Sequence, residues 1–415
     1  MQKPAKALKV LQFCNKPPYP PKDGGSIGMH NVSQAFLDRG FYLTILSVNS
    51  EKHFVDVSRL PEKYIKATKF QAIEVDLSVK IFPAFVNLFY SKKSYNISRF
   101  YNDKMAEELI HILKRNSFDI IQLESVFLKD YIPIIRKYSD AKLVLRAPNV
   151  EFIIWQRLAE IERNIIKKFY LNILTKRLKK EELDTFKDVD AIYTVTERDM
   201  NIIKSFGFEK PIAFIPTGID VTKNLDTSEV DVEYPSIFHL GALDWMPNQE
   251  AVKWLLDNVW PKLHKNFPEL KFYIAGRRPP KWLLDIKIDG VEVVGEVDDA
   301  AKFMKSKAIM PVPLFSGSGM RVKIIEAMML KKAVVSTSIG IEGIIHKVGE
   351  DVLIANNAEE FVDRIGLLIE DSEKYNNICD SAKENIEQNY SNEVLSKKLG
   401  VFLEDIYSEE RESRR

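Results

Sequence analysis

Between Pro311 and Thr337 the sequence runs "PVPLFSGSGMRVKIIEAMMLKKAVVST". Four small residues, Ser316, Gly317, Ser318 and Gly319, follow an apolar run of strand character, and Arg321, Lys323 and Glu326 then fall on the first turns of a helix. A loop of small residues exposes backbone N–H groups and a helix start adds partial positive charge, so together they make an anion site. Arg321 and Lys323 strengthen that pull. Glu326 cannot serve a phosphate, because like charges repel, but it can accept hydrogen bonds from sugar hydroxyls. The chemistry that suits this spacing is recognition of a phosphate attached to a sugar.

Other polar groups cluster where strands should end. In "PPYPPKDGGSIGMH", Gly24 and Gly25 remove side chains where a helix begins, which allows a ligand close to the backbone or simply makes a tight turn. "LGALDWMPNQEAVKWL" sets Gly241 at a strand end, with Asn248 expected to cap the next helix and Trp245 and Trp254 expected in the core. "IAGRRPP" offers Arg277 and Arg278 as a diphosphate clamp or as a solvated pair. "LRAPNVEFIIWQR" places Arg146, Asn149 and Glu151 after a strand, and "IIQLES" places Glu124 likewise, as groups for an acceptor hydroxyl or as turn and cap residues. No His or Cys spacing fits a metal site. The second strand ends in "ILSVNS", without the acid of a nicotinamide site, and no Walker A loop is present.

The elements that must position these residues alternate along the chain. "LKVLQFC", "YLTILSV", "FDIIQLE", "KLVLRA" and "DAIYTVT" read as strands separated by helical or turn segments, which predicts a parallel sheet covered on both faces. After "KPIAFIPTGID" a polar stretch reaches Tyr234, and a second series follows: "SIFHLGALD", "KFYIAG", "VEVVGEV", "AIMPVPL" and "AVVSTSIG". The expected division is 1–216, 217–389 and a terminal helix, 390–415, returning to the first domain. Ligands of such doubly wound sheets sit at the carboxyl ends of the strands.

Composition narrows the partners. The 415 residues carry 60 Lys and Arg against 59 Asp and Glu, so no global field argues for nucleic acid. Cys14 and Cys379 stand far apart, as structural thiols of a reducing compartment would. The N-terminus reads as a strand rather than a signal peptide, and a cytoplasmic protein is expected. No apolar run approaches the roughly 20 residues of a membrane span. "IFPAFVNLFYSKK" (Ile81 to Lys93) is too short, and serves a core, a loop or a membrane surface. "RNIIKKFYLNILTKRLKK", residues 163–180, interleaves apolar residues with Arg163, Lys167, Lys168, Lys176, Arg177, Lys179 and Lys180. It suits either a solvated basic helix face or peripheral contact with an anionic membrane.

Taken together, "KDGGSIGMHNVSQAFLDRG", "RAPNVE", "AIYTVTERD", "FIPTGID", "LGALDWMPNQEAVKWL", "GEVDD" and "PLFSGSGMRVKIIEAMMLKKAVVSTSIGIEG" resemble, in order, the motifs of a family 4 glycosyltransferase of the GT-B type. The resemblance implies an α/β chain of two doubly wound Rossmann-like domains facing each other across a cleft. It implies a retaining transferase that moves a hexose-type group from a nucleoside-diphosphate sugar to a saccharide or lipid-linked acceptor, without metal or other cofactor. Glu326 would hold the ribose, with Ser318, Gly319 and Met320 meeting the donor phosphate or sugar and Gly24 and Gly25 approaching it from the first domain. Arg321 and Lys323, with Arg277 in reserve, would answer the diphosphate; Glu124, Asn149 and Glu151 would lie on the acceptor side. Where the family usually carries a second carboxylate, eight positions before Glu326, this chain has Ser318. That departure keeps open a non-catalytic sugar-nucleotide binding protein; an epimerase would want more acids, and a dehydrogenase lacks its strand-two acid. Cell-surface polysaccharide or glycolipid assembly, at the inner face of the plasma membrane, is the expected setting.

Overall fold

The computed structural model describes residues 7–78, 80, 87, 91, 93–220, 230–315 and 320–413. The chain separates into two units, one of Met1–Gly218 with Asn392–Arg415 and the other of Ile219–Ser391.

In the first unit, β1 (Lys9–Cys14), β2 (Tyr42–Asn49), β3 (Gln71–Glu74), β4 (Ile120–Leu123), β5 (Lys142–Ala147), β6 (Ala191–Thr194) and β7 (Ile212–Phe214) form one sheet. Its order is β3-β2-β1-β4-β5-β6-β7, and every pairing is parallel. The central strands are apolar almost without interruption because helices cover both faces. Alternation assigns Val10 and Cys14 to one face, with Met29, Val32 and Phe36 of α1 (Gly24–Asp38), and Leu11 and Phe13 to the other. Three further helices matter for the site: α2 (Glu151–Ile161), α3 (Ile165–Asp188) and α4 (Glu197–Ser205).

The C-terminal helix, Asn392–Ser413, belongs to this unit. Leu395, Leu399, Leu403 and Ile406 recur at helical spacing and join the core beneath α1, while Arg39 pairs with Glu404. A Cβ at Gly400 would stand 2.0 Å from Arg39 Nε, so the absent side chain is what lets the arginine lie there. The charged tail, whose composition suggests fraying, is helical as far as Ser413 because its apolar stripe is anchored on α1.

The second unit repeats the architecture with β8 (Ser236–Leu240), β9 (Lys271–Ala275), β10 (Val291–Gly295), β11 (Ile309–Val312), β12 (Ala333–Ser336) and β13 (Leu353–Ile354), in the parallel order β10-β9-β8-β11-β12-β13. Helices α5 (Met246–Trp254) and α6 (Val322–Met329) follow β8 and β11. Strand order reverses between β1 and β4 in the first sheet and between β8 and β11 in the second, which opens a crevice at each carboxyl edge. Cys14 and Cys379 are both free and buried.

Candidate functional site

In the second unit, the loops after β8 and β9 reach the carboxyl edge beside the β8–β11 reversal. The backbones after β8 and β9 are in near contact: a Cβ on Gly276 would lie 1.8 Å from Gly241 O, and one on Gly241 would lie 2.6 Å from Asn248 Nδ2. Side chains are excluded there by packing, which leaves Gly241 with a bare backbone. Leu243 N donates to Arg277 O at 3.0 Å and locks the two loops together. Asn248 was expected to cap α5. It lies inside the helix, and its amide reaches back to Ala242 O at 2.9 Å; Trp245 is the N-cap residue and makes no side-chain cap. Trp245 is also 47% exposed rather than buried, while Trp254 packs between Phe315 and Phe361.

Arg277 and Arg278 stand exposed after β9. Arg278 takes a left-handed backbone (φ 52°) and points Nη1 at Asp244 Oδ2, 3.3 Å away, so Arg277 is the better placed of the two for an outside anion. Buried His239, two positions before Gly241, has no partner for its Nε2 among the described residues, and burial holds its pKa down to about 4, so the ring is neutral at neutral pH.

The loop after β11 was expected to supply Ser318 and Gly319; residues 316–319 lie outside the described ones. Met320 packs its side chain into the core that holds Leu314, Ile324 and Met328. Arg321 is the N-cap residue of α6, whose first turn carries no acid, as an anion-binding helix start requires. Lys323 Nζ lies 2.6 Å from Glu326 Oε2, with the two side chains 41% and 22% exposed. Thus two of the four charged groups assigned to the donor answer each other while staying within reach of solvent.

In the first unit, Gly24 and Gly25 are exposed at the start of α1, after β1. Asp23 caps the helix by accepting from Ser26 N at 3.0 Å, and Ser26 Oγ accepts from Asp23 N in return. Burial pushes the Asp23 carboxyl up, but Lys16, whose Nζ lies 2.6 Å away, and the Ser26 N–H outweigh it and hold the pKa at about 2. A Cβ on Gly25 would sit 2.7 Å from Lys16 Nζ.

Glu124, assigned to an acceptor hydroxyl, is instead sealed in the protein at 1% exposure. Its Oε1 accepts from Gln12 Nε2 and Gln122 Nε2, both at 2.6 Å, and its Oε2 faces Arg146 Nη1 at 3.1 Å. Strand parity explains the grouping, since Gln12, Gln122, Glu124 and Arg146 share the sheet face that carries α1. Gln12 also donates to Met29 O at 3.1 Å and accepts from Ser33 Oγ at 2.7 Å, so this polar inlay fixes α1 on the sheet. Burial raises the Glu124 pKa against the pull of Arg146 and the two amides.

Asn149 and Glu151 lie half-buried where β5 leads into α2, and the Asn149 side chain hydrogen-bonds Glu151. Although part of Glu151 stays accessible, protein surrounds the rest and pushes its carboxyl up to about 7. Beneath it Glu182, from α3, accepts from Glu151 N and Phe152 N at 2.9 Å each and so caps α2 from outside. Burial first, and the Glu151 charge second, push Glu182 up to about 8. Asp199 adds a third carboxylate and bonds Thr196 Oγ at 2.8 Å. Sequence inspection missed Glu182 and His239; the glutamines inside "KVLQFC" and "IIQLE" were a visible signal of a buried polar inlay.

Among the described residues no cluster of three or more His, Cys, Asp or Glu suits a metal ion, and no helix is long and apolar enough to cross a membrane.

Residues 234–371 match the family model described as glycosyl transferases group 1, which bears out the resemblance carried by the motifs of the second unit. An uncharacterized 44.6 kDa protein in the cps region of Klebsiella pneumoniae is 25% identical over 423 residues, covering 97% of this chain and all of that one. Among solved structures, HepE of Anabaena in complex with UDP superimposes with a TM-score of 0.62 at 11% identity, covering 96% of this chain and 100% of the other. Sucrose-phosphate synthase from Thermosynechococcus elongatus gives a TM-score of 0.69 at 11% identity over 96% and 99% of the two chains. At these identities the structural likeness establishes the fold, which is the GT-B fold with two Rossmann-like domains.

Proposed function

We propose that the chain is a retaining glycosyltransferase that moves a hexose-type group from a nucleoside-diphosphate sugar to an acceptor hydroxyl. The observation that carries this is the carboxyl edge of the second sheet, where α6 starts without acids and brings Arg321, Lys323 and Glu326, and where the loop after β9 carries exposed Arg277. Charge grows on the leaving diphosphate as the glycosidic bond breaks, and preorganised N–H dipoles and cations stabilise it most in the transition state. Arg321, Lys323 and Arg277 supply those cations, so the reaction is read as metal-independent. Glu326 takes the ribose hydroxyls, with Ser318, Gly319 and Met320 against the donor phosphate or sugar. In a front-face displacement with retention, the leaving phosphate itself accepts the acceptor's proton, and Glu124, buried under α1, has no part in that transfer. Asn149 and Glu151 remain the acceptor-side groups.

HepE and TarM of S. aureus have each been crystallised with UDP, which supports a nucleoside diphosphate as the donor's leaving part. The cps-region relative supports a role in cell-surface polysaccharide or glycolipid assembly; the acceptor is read as saccharide or lipid-linked, and the enzyme as peripheral at the inner face of the plasma membrane. Ser318, in place of the family's usual acid, favours one other reading, a sugar-nucleotide binding protein without turnover.

Thermal stability titrated with UDP, GDP and ADP, each with and without EDTA, tests the donor site, because a ligand of the native state raises the midpoint with its concentration. A rise with one diphosphate, unaffected by EDTA and lost in Glu326→Ala, is expected. No rise with any diphosphate overturns the assignment, and binding of an intact nucleotide sugar without product in the presence of acceptors selects the binding-protein alternative.

A further inference from the structure

The hairpin of α2 and α3 carries an apolar tip that the core does not use. Ile165, Ile166 and Phe169, in the first turns of α3, are 84%, 80% and 65% exposed, and Leu158 near the end of α2 is 42% exposed. At about 100° per residue, Ile165, Ile166 and Phe169 span roughly one quarter of the helix circumference. Leu171, Leu174, Leu178, Glu182 and Thr185, the buried side of α3, lie on the opposite side. The helix therefore has two apolar faces, of which only one is answered by protein among the described residues.

The basic residues divide in the same way. Arg177 Nη1 donates to Asn87 O at 3.0 Å, and Lys179 Nζ lies over the rings of Phe152 and Phe206 at 5.2 and 4.7 Å, so both are turned inward. Arg163, Lys167, Lys168, Lys176 and Lys180 are exposed. Glu160 and Glu162 are the acids of the hairpin turn, and Arg157 with Arg163, Lys167 and Lys168 outnumber them. Exposed aliphatic and aromatic groups ringed by cations match the boundary between anionic headgroups and acyl chains. A second copy of this patch would be repelled by like charge.

We propose that the tip docks on an anionic lipid surface, with Ile165, Ile166 and Phe169 entering the headgroup boundary and Arg163, Lys167 and Lys168 meeting lipid phosphates. This narrows the membrane contact to the first turns of α3, rather than the whole basic segment. It rests on the transferase reading only for its purpose, bringing the enzyme to a lipid-linked acceptor.

The full chain is sedimented with vesicles of phosphatidylcholine and phosphatidylglycerol in equal parts, and with phosphatidylcholine alone. Binding to the anionic vesicles only, weakening as salt rises, is expected. Replacing the three apolar residues together (Ile165→Ser, Ile166→Ser, Phe169→Ser) should lower vesicle affinity by about tenfold or more with an unchanged melting midpoint, because these side chains bury little in the fold. Lys167→Glu with Lys168→Glu should lower it by a similar factor, again about tenfold. Parent protein that binds anionic vesicles no better than neutral ones, or a triple variant that binds like the parent, overturns the proposal. So does loss of self-association in the variant without any lipid binding by the parent, which would make the tip a subunit contact. A nucleoside-diphosphate stability shift retained by the triple variant keeps this result separate from the donor site, and vesicle binding without any such shift would sink the transferase reading alone.

Discussion

At the carboxyl edge of the first sheet Glu124, Arg146, Glu182 and Asp199 are each no more than 3% exposed, whereas at the second edge Arg277 and Arg278 stand in solvent and Lys323 and Glu326 keep 41% and 22% of their side chains open. Both edges lie beside a strand-order reversal, where such sheets bind ligands, and both are rich in charge. The difference is what the charges answer. A buried ion must be satisfied by protein, since leaving it alone costs several kcal/mol, so it positions backbone and has little left for a ligand. An exposed ion has given up little hydration and can still meet a phosphate. Charge near a ligand edge therefore predicts binding only when it is accessible.

The sharpest way to break this contrast is to remove one buried partner. Arg146→Ala leaves Glu124 facing two amides without its countercharge and should destabilise the first unit by about 3–5 kcal/mol, read by denaturant unfolding. The loss should shrink at acid pH, because the Glu124 pKa is already raised by burial and protonation removes the orphaned charge. A loss below about 1 kcal/mol, the range of exposed pairs, would mean that the pair is solvated and the contrast false.

A medium effect comes from the carboxylates around α2. Glu151 and Glu182 are pushed to about 7 and about 8, above the ordinary carboxylate range. An acid with a raised folded-state pKa holds its proton more tightly in the native state. It contributes stability that is complete below its unfolded value of about 4.3 and is lost as pH rises through the folded value. Glu182→Gln cannot ionise, and its amide accepts fewer of the two N–H bonds that cap α2. The variant should be less stable than the parent near pH 5, with the deficit narrowing by about 1–3 kcal/mol by pH 8.5. Comparing the variant with the parent cancels groups that do not interact with Glu182, including His239, while Glu151, which shares its field, titrates lower in the variant. A deficit that stays constant across the range would mean that Glu182 is ionised throughout.

Much of the architecture could be read from the chain, because parallel strands covered on both faces leave apolar runs such as "KVLQFC" and "KLVLRA" that period and flanking glycines delimit. The glycines and cations of the second edge could be read too, since a close approach of loops demands glycine and charged residues are plain in the sequence, and both are local. The first edge could not. Gln12, Gln122, Glu124 and Arg146 meet only through strand pairing, and Glu182 reaches the start of α2 from a distant turn of α3, so no local spacing links them. Trp245 was misjudged for a related reason. Residue type suggested a core for the tryptophan, but exposure depends on which side the sheet covers.

The smallest stability change should come from Lys323→Met, and it tests the comparison from the accessible side. The pair with Glu326 is an i,i+3 contact that is partly exposed, and such pairs contribute roughly 0.2–0.5 kcal/mol, so the unfolding midpoint should scarcely move. Donor affinity should behave differently. A cation that meets the diphosphate makes a charge-assisted hydrogen bond, and its loss should weaken nucleotide binding by about tenfold, measured by calorimetry. Arg146→Ala should show the reverse, a large stability loss with donor affinity near normal wherever the protein stays folded, because Arg146 lies in the first unit under α1. If Lys323→Met left donor affinity intact, Lys323 would serve only to hold Glu326 in place, and the second edge would then resemble the first, with its charges answering each other rather than a ligand.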